Sequence, residues 1–391
     1  MPSSRAPLSP SAGTRWRPLF GLGAGIVAAG ALAAVACNGP SYPPYDRDVL
    51  LSETATLVIV PGYEDAATAS AHLSDATTAL CAAPDATTLA AARSAWRDAF
   101  VGWRRTTAYQ FGPAAQMNLA DVGSSQGAIT TAANETLIES NLASATPAHF
   151  DAAYVDALGG GSRGFHTLEY LLFAYPGWTG TSDDAMTLAA LGDARRCEYA
   201  TFVADHLARQ TAAVRDAWSP AHGNFVATFT MTGGSNPQYS NDQAAVSALV
   251  GGVRDAVEST KVHRLGGPLG RSTSSAEIES PYAHASVASM RAAVDGAHDA
   301  WTVAEHSPDD FLRTRNTMLA DEVIEYFDAS DSTLAALESP PLASPFETYV
   351  AGSDHAAGDA AYDALGLLER ELAGDVASTL GLSITSAADG D

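Results

Sequence analysis

Lysine is almost missing from this chain. Among 391 residues only Lys261 carries an ammonium group, and 21 basic residues stand against 45 acidic ones, for a formal net charge of −24. A surface this acidic repels phosphate backbones and anionic lipid headgroups, which excludes nucleic acid and direct binding to a charged membrane surface. Cysteine is scarce, with Cys37, Cys81 and Cys197 as the three positions, too few and too far apart for a thiolate metal cluster. There is no His-Glu-x-x-His, so the helical pair of zinc ligands with an intervening base is missing. The glycine run 159–161 and Pro268-Leu269-Gly270 lack the strand-to-helix context and the lysine of a phosphate loop. Strand-like alternation and short-period repeats are missing as well, which leaves a helical protein.

The one long apolar run lies at the start. Arg5, Arg15 and Arg17 precede it with no acid among them, residues 19–36 are rich in Ala and Gly, and the run ends at Ala34-Val35-Ala36-Cys37. The pattern predicts an export signal over 1–36, with cleavage before Cys37 and a lipid on its thiol. An ordinary secretory signal is the alternative. The expectation is an exported protein held at the cell envelope, in the periplasm or at the outer membrane, through its lipid anchor alone. Residues 37–47, with NGPSYPPYDR after the cysteine, read as a tether. Removing 1–36 leaves 355 residues and a net charge of −27, enough chain for two domains. Cys81 and Cys197 are candidates for a disulfide in an oxidising compartment.

The remainder is helical in pattern. Residues 50–81 form one segment with a break expected at Pro61-Gly62; 85–109 is the clearest amphipathic helix, with Leu89, Ala92, Trp96, Phe100 and Trp103 at steps of three and four. Residues 112–131 look like a loop, 133–142 and 147–158 like short helices, the second with Thr146 as its N-cap, and 182–218 like one long helix. Pro220 to Gln243 holds Gly233-Gly234 and Asn236-Pro237, the natural boundary between an N-terminal bundle (48–222) and a C-terminal bundle (244–382), joined by 223–243. Residues 264–280 make a long connection, the second bundle runs through 281–301, 309–337 and 346–373, and 383–391 is a frayed tail. The predicted fold is all-α: two packed helical bundles with a site between them.

The candidate for that site is the stretch Gly164-Phe165-His166-Thr167-Leu168-Glu169, continuing as Tyr170-Leu171-Leu172-Phe173. Glycine before it and Pro176-Gly177 after it bound a short apolar helix. Residues three apart share a helical face, so His166 and Glu169 point the same way from surroundings with little water. A buried carboxylate beside an imidazole must be hydrogen-bonded, ion-paired or bound to a cation. Two ligands alone do not make a zinc site, and a structural His–Glu pair is the plain alternative. Further candidates are the acids and histidine around the long connection, Glu277, Glu279 and His284, set against a reading of Glu279-Ser280-Pro281 as the start of a helix with Ser280 as its cap. Asp321, Glu322 and Glu325 read as a solvated face, and His298, His306 and His355 as isolated histidines.

Gly164-x-His166-x-x-Glu169 in the setting GFHTLEYLLF resembles the signature of the imelysin family. Trp103-Arg104 with Tyr109-Gln110-Phe111-Gly112-Pro113, then Asn236-Pro237-Gln238-Tyr239-Ser240, then Lys261, Pro268-Leu269-Gly270 and Glu279-Ser280-Pro281-Tyr282-Ala283-His284, are similar to the family's other segments and follow in the same order. The resemblance spans about 50–380; Phe173-Ala174-Tyr175 departs from its pattern, and 112–140 matches it poorly. It implies a helical, exported protein, often a surface lipoprotein, in a family named for peptidase activity but with members acting in iron uptake. On that basis His166 and Glu169 are the expected metal ligands, with Arg104, Glu279 and His284 as additional candidates. The expected cofactor is iron or, alternatively, zinc. The leading function is binding of a metal ion or small metal-containing ligand for uptake, with an uptake-system partner; the alternative is a zinc metallopeptidase, whose general base nothing nominates.

Overall fold

Pro61 lacks an amide hydrogen and ought to interrupt the first helix. The chain runs through it. Helix Arg47–Thr54 passes into a π-helical turn, Ala55–Ile59, and on into Val60–Ala82. The widened turn ends just ahead of the proline, which falls in the first turn of the next segment, where a missing donor costs little. The expected break is therefore a change of helical pitch. This structure is a computed structural model describing residues 44–121, 127–275 and 277–384. The signal 1–36, Cys37 and most of the tether lie outside the described residues, as does most of the tail 383–391.

Helix Ala86–Arg105 follows, started by a capping box in which Asp85 accepts from the amides of Thr87 and Thr88 while Thr88 accepts from the amide of Asp85. Other helix starts differ from the sequence expectation for the same kind of reason. Thr146 does not cap 147–158; Asp151 accepts from the Tyr154 amide at 2.7 Å and the helix is Ala152–Ala157. The single helix over 182–218 is two, Asp184–Leu191 and Ala194–Trp218, because Asp193 caps the second. Residues 309–337 likewise divide into Pro308–Arg313 and Thr317–Ala335, the latter capped by Asn316. Each such acid or amide satisfies amide groups that the preceding helix cannot reach.

Among the described residues the fold is all-α, with no strand. Val60–Ala82 packs against both Ala86–Arg105 and Ala194–Trp218, and the disulfide between Cys81 and Cys197 ties the first of these to the last. With the two cysteines 116 positions apart in sequence, closing the loop stabilises the fold by about 4–5 kcal/mol on chain-entropy grounds. In the second half, Ser286–Thr302 packs against Asp242–Ser259 and Thr317–Ala335, and Thr317–Ala335 against Ala356–Glu371. The halves meet where Ala86–Arg105 packs on Ser286–Thr302, and the described residues together form one compact unit. Trp96, Trp103, Trp218 and Trp301 are fully buried. No helix among the described residues is long and apolar enough to cross a membrane.

That contact depends on a glycine. A Cβ on Gly296 would sit 1.8 Å from the Arg105 carbonyl oxygen, so only a bare backbone lets the two helices approach this closely. Gly296→Ala must push the halves apart at the place where they join. Its expected cost is about 1–3 kcal/mol, typical of overpacking, read as a lowered denaturant midpoint with an unchanged slope.

Candidate functional site

Every residue of helix Phe165–Phe173 is buried, which a helix this apolar requires. Its outer wall is Ala86–Arg105. Trp96 stacks on Phe100 and meets Phe173 edge-on, its indole N–H donates to the Phe165 carbonyl at 2.9 Å, and the Phe100 ring lies edge-on to the His166 imidazole. Gly164 is required by close approach, since its φ is unexceptional. The Phe165 amide donates to the Ile129 carbonyl at 2.7 Å, and a Cβ on Gly164 would lie 2.6 Å from that same oxygen. The glycine of the motif lets the 127–131 loop lie across the start of the helix.

His166 and Glu169 do meet: Nδ1 of the imidazole and Oε2 of the carboxylate are 2.9 Å apart, and both side chains are at most 2 % exposed. The other carboxylate oxygen, Oε1, accepts from the Ser280 hydroxyl at 2.8 Å and from the amides of Tyr282 and Ala283 at 3.0 and 2.9 Å. Ser280 is thus a partner of Glu169, and it does not cap a helix; the helix in question begins at Ser286. Glu169 needs all these donors because an ionised carboxylate without water is several kcal/mol unfavourable. With Oε2 as acceptor, Nδ1 carries a hydrogen, and in the neutral imidazole Nε2 then presents a lone pair. That Nε2 is buried and has no hydrogen-bond partner.

Nε2 belongs to a residue lining a cavity of about 350 Å³. Opposite His166 stand Arg104, Asp121, Arg264 and Glu279, four charges at most 6 % exposed that close into a ring. Arg104 bridges Asp121 Oδ2 and Glu279 Oε1; Arg264 does the same through Nη2 to Asp121 and Nε to Glu279, both at 3.1 Å. The remaining oxygens are occupied too. Ser289 donates to Glu279 Oε2, and Asp121 Oδ1 accepts from the Gly127 amide at 2.7 Å and from the Thr130 hydroxyl. Burial by itself would raise the Glu279 carboxyl, but the two guanidiniums outweigh it and hold it down to about 2. Burial draws the Arg104 guanidinium down to about 9, with Glu279 opposing, so it remains charged at neutral pH.

Arg264 arrives through the second π turn, Thr260–Gly266. A π turn superposes residues five apart, as the Gly267 amide donating to the Val262 carbonyl at 3.0 Å shows, and Ser259 and Arg264 therefore face the cavity together. Of the candidates read from sequence, His166, Arg104 and Glu279 line this cavity, while Glu169 lies behind His166. Glu277 lines it as well. His284 does not; it sits at a left-handed φ of 52° and pairs with Glu347 on the far side of the 280–283 turn. His298 stacks on Phe327 and His306 pairs with Glu53, both away from the cavity. Asp121 and Arg264 are the residues that sequence reasoning missed. Their signal was faint: a lone acid after Leu119-Ala120, and an arginine in an apolar stretch with no acid one turn away.

Among the described residues no group of three or more His, Cys, Asp or Glu is placed to hold a metal ion. Glu169, Glu279 and Asp121 have their oxygens committed to hydrogen bonds and ion pairs, while His166 Nε2 has no hydrogen-bond partner; Glu277 and His263, whose Nδ1 meets the Ser274 hydroxyl at 2.7 Å, line the same cavity. A bare cation held through several protein ligands does not fit these side chains as they stand. The arrangement is that of an all-α protein whose two halves enclose a polar cavity lined by two imidazoles. The comparisons place it. The imelysin (peptidase M75) family model matches residues 59–372, and the chain belongs to the imelysin family. It is 26 % identical over 299 residues to iron-regulated protein A of Synechococcus elongatus, covering 74 % of this chain and 76 % of that protein. The fold is shared with a crystal structure described as an iron-regulated protein A precursor from Parabacteroides distasonis, at a TM-score of 0.68 and 18 % identity, and with an imelysin-like protein from Psychrobacter arcticum, at 0.65 and 17 %. Each comparison covers 87 % of this chain and 96 % of the other.

Two outcomes test this geometry. Glu169→Ala strips the partners from the Ser280 hydroxyl and two core amides, and is expected to cost on the order of 3–5 kcal/mol in denaturant unfolding. For Glu279, whose folded value lies below its ordinary 4.5 at about 2, the stabilisation is complete above 4.5 and lost as pH falls through 2. The thermal midpoint of the wild type should therefore fall across that window, and Glu279→Gln should start lower and fall less steeply.

Proposed function

We propose that this protein is an exported iron-binding lipoprotein of an uptake system, which takes up a small iron-containing ligand in the cavity in front of His166. The observation that carries the reading is His166 Nε2, a buried ring nitrogen without a hydrogen-bond partner on a residue that lines the cavity. A carboxylate behind the distal nitrogen of an imidazole is the usual device for orienting a metal-binding histidine and raising its basicity. In this reading His166 is the metal ligand and Glu169 its orienting partner, with the ring of Arg104, Asp121, Arg264 and Glu279 keeping the cavity open and water-accessible. Imidazole suits ferrous or ferric iron as well as zinc. Iron is chosen because the Synechococcus relative is an iron-regulated protein.

Cleavage before Cys37 and a lipid on its thiol supply the anchor, and the acidic surface keeps the rest of the chain off the membrane. The metallopeptidase alternative asks for three protein ligands to zinc, and among the described residues no group of three His, Cys, Asp or Glu is placed to hold a metal ion. Elemental analysis of the purified chain after iron exposure and desalting checks the proposal. The expected result is close to one iron per chain in the wild type and about tenfold less in His166→Ala, measured well below the midpoint of the variant, which melts lower because Glu169 has lost a donor. Equal iron in both proteins would remove His166 from the function.

A further inference from the structure

A second cavity, of about 450 Å³, shares Asp121 with the first. One wall is a face of helix Asp242–Ser259, where Ala244, Ser247, Ala248, Gly251 and Asp255 recur at steps of three and four. Glycine inside a helix is unfavourable relative to alanine, so each one needs a reason. Gly252 has one: a Cβ there would lie 2.1 Å from the Ala108 carbonyl oxygen. Gly251 has none of that kind. Its φ is not positive, and nothing lies within 4 Å of where its Cβ would stand. The space in front of it is the cavity. Among the described residues that line this space there is no arginine, lysine or histidine. Asp121 is committed to Arg104 and Arg264, which leaves Asp255 as the lining carboxylate still to be satisfied.

Asp255 is short of positive charge. Arg254 donates to its Oδ1 at 3.1 Å, but the same guanidinium also meets Glu258 at 2.7 Å and Glu369 at 3.5 Å, and Lys261 pairs with Glu369. Three carboxylates thus share two cations, one positive charge too few. Burial lifts the Asp255 carboxyl to about 6, with Arg254 opposing it and not offsetting it. We propose that this cavity binds a small organic cation, a primary ammonium group on a short apolar body. The ammonium supplies the missing charge by pairing with Asp255, and the carbon chain lies against Ala244, Ala248 and the bare backbone at Gly251. A bare metal ion does not suit the place, because among the described residues no group of three or more His, Cys, Asp or Glu is placed to hold one. An anion would meet acids with no base beside them. The site stands apart from the reading of His166.

Ligand-observed NMR titration of the full chain with n-butylammonium, butan-1-ol and butyrate tests this, since the three have carbon bodies of similar length and differ in charge. The expected result is saturable 1:1 binding of butylammonium, about tenfold tighter than of butan-1-ol, and no binding of butyrate. Gly251→Leu fills the space and is expected to weaken butylammonium at least about tenfold. Its thermal midpoint should be at or above that of the wild type, since leucine is the better helix former and its Cβ meets no neighbour. Asp255→Asn keeps the shape, removes the charge, and should bring butylammonium to the level of butan-1-ol. Equal binding of butylammonium and butan-1-ol to the wild type overturns the proposal. Butylammonium binding that survives either substitution also overturns it, by placing the cation on the acidic surface at large. So does the lack of any saturable butylammonium binding.

Discussion

One carboxylate organises this molecule. Glu169 is buried with no water to stabilise it, and four donors converge on it: an imidazole from its own helix, and a hydroxyl and two amides from a turn more than a hundred residues further on. Taking away any one of those donors exposes an ionised group to a medium that cannot solvate it, so the parts are held to one geometry. The turn at 280–283 cannot drift from the motif helix, and the motif helix cannot rotate without breaking the His166 contact. Arg97 adds a further hold by donating to the Ala283 carbonyl. The strained backbone of His284, next in the chain, persists because its neighbours on both sides are fixed.

The consequence for function follows from the same accounting. Nearly every polar group around the cavity has been given a partner, and the ring of two arginines and two carboxylates consumes its own charge. The ring itself carries no net charge, and Glu277 and the His263 imidazole complete a polar lining beside His166.

The local features at the centre of the site were legible in the chain. An apolar segment bounded by glycine and Pro-Gly implies a buried helix, and a spacing of three puts His166 and Glu169 on one face; the two side chains meet at 2.9 Å. The aromatic steps Trp96, Phe100 and Trp103 gave the wall against which that helix packs. Helix boundaries were less legible. Asp151, Asp193 and Asn316 each captured a helix start that the apolar pattern placed elsewhere, because a single well-placed acceptor outweighs weak propensity at a helix end. The π turns at 55–59 and 260–266 left no trace in the pattern, since a shift of one residue in register disturbs apolar spacing hardly at all.

By itself the sequence determined the helical class and the face on which an imidazole and a carboxylate stand together, which depend on residues within a few positions of each other, and the membership in a family, which rests on segments in a fixed order along most of the chain. It also settled that such a pair, in so apolar a stretch, would need partners. Which partners was decided only by the tertiary structure. Ser280 looked like a helix cap until the fold brought its hydroxyl to Glu169, and Arg264 and Asp121 gained their roles only when four separate segments closed into a ring. The physical reason is that a buried polar group fixes how many hydrogen bonds it must receive and says nothing of where along the chain the donors lie. Packing chooses them, and in choosing them it left His166 Nε2 without a hydrogen-bond partner on a residue that lines the cavity.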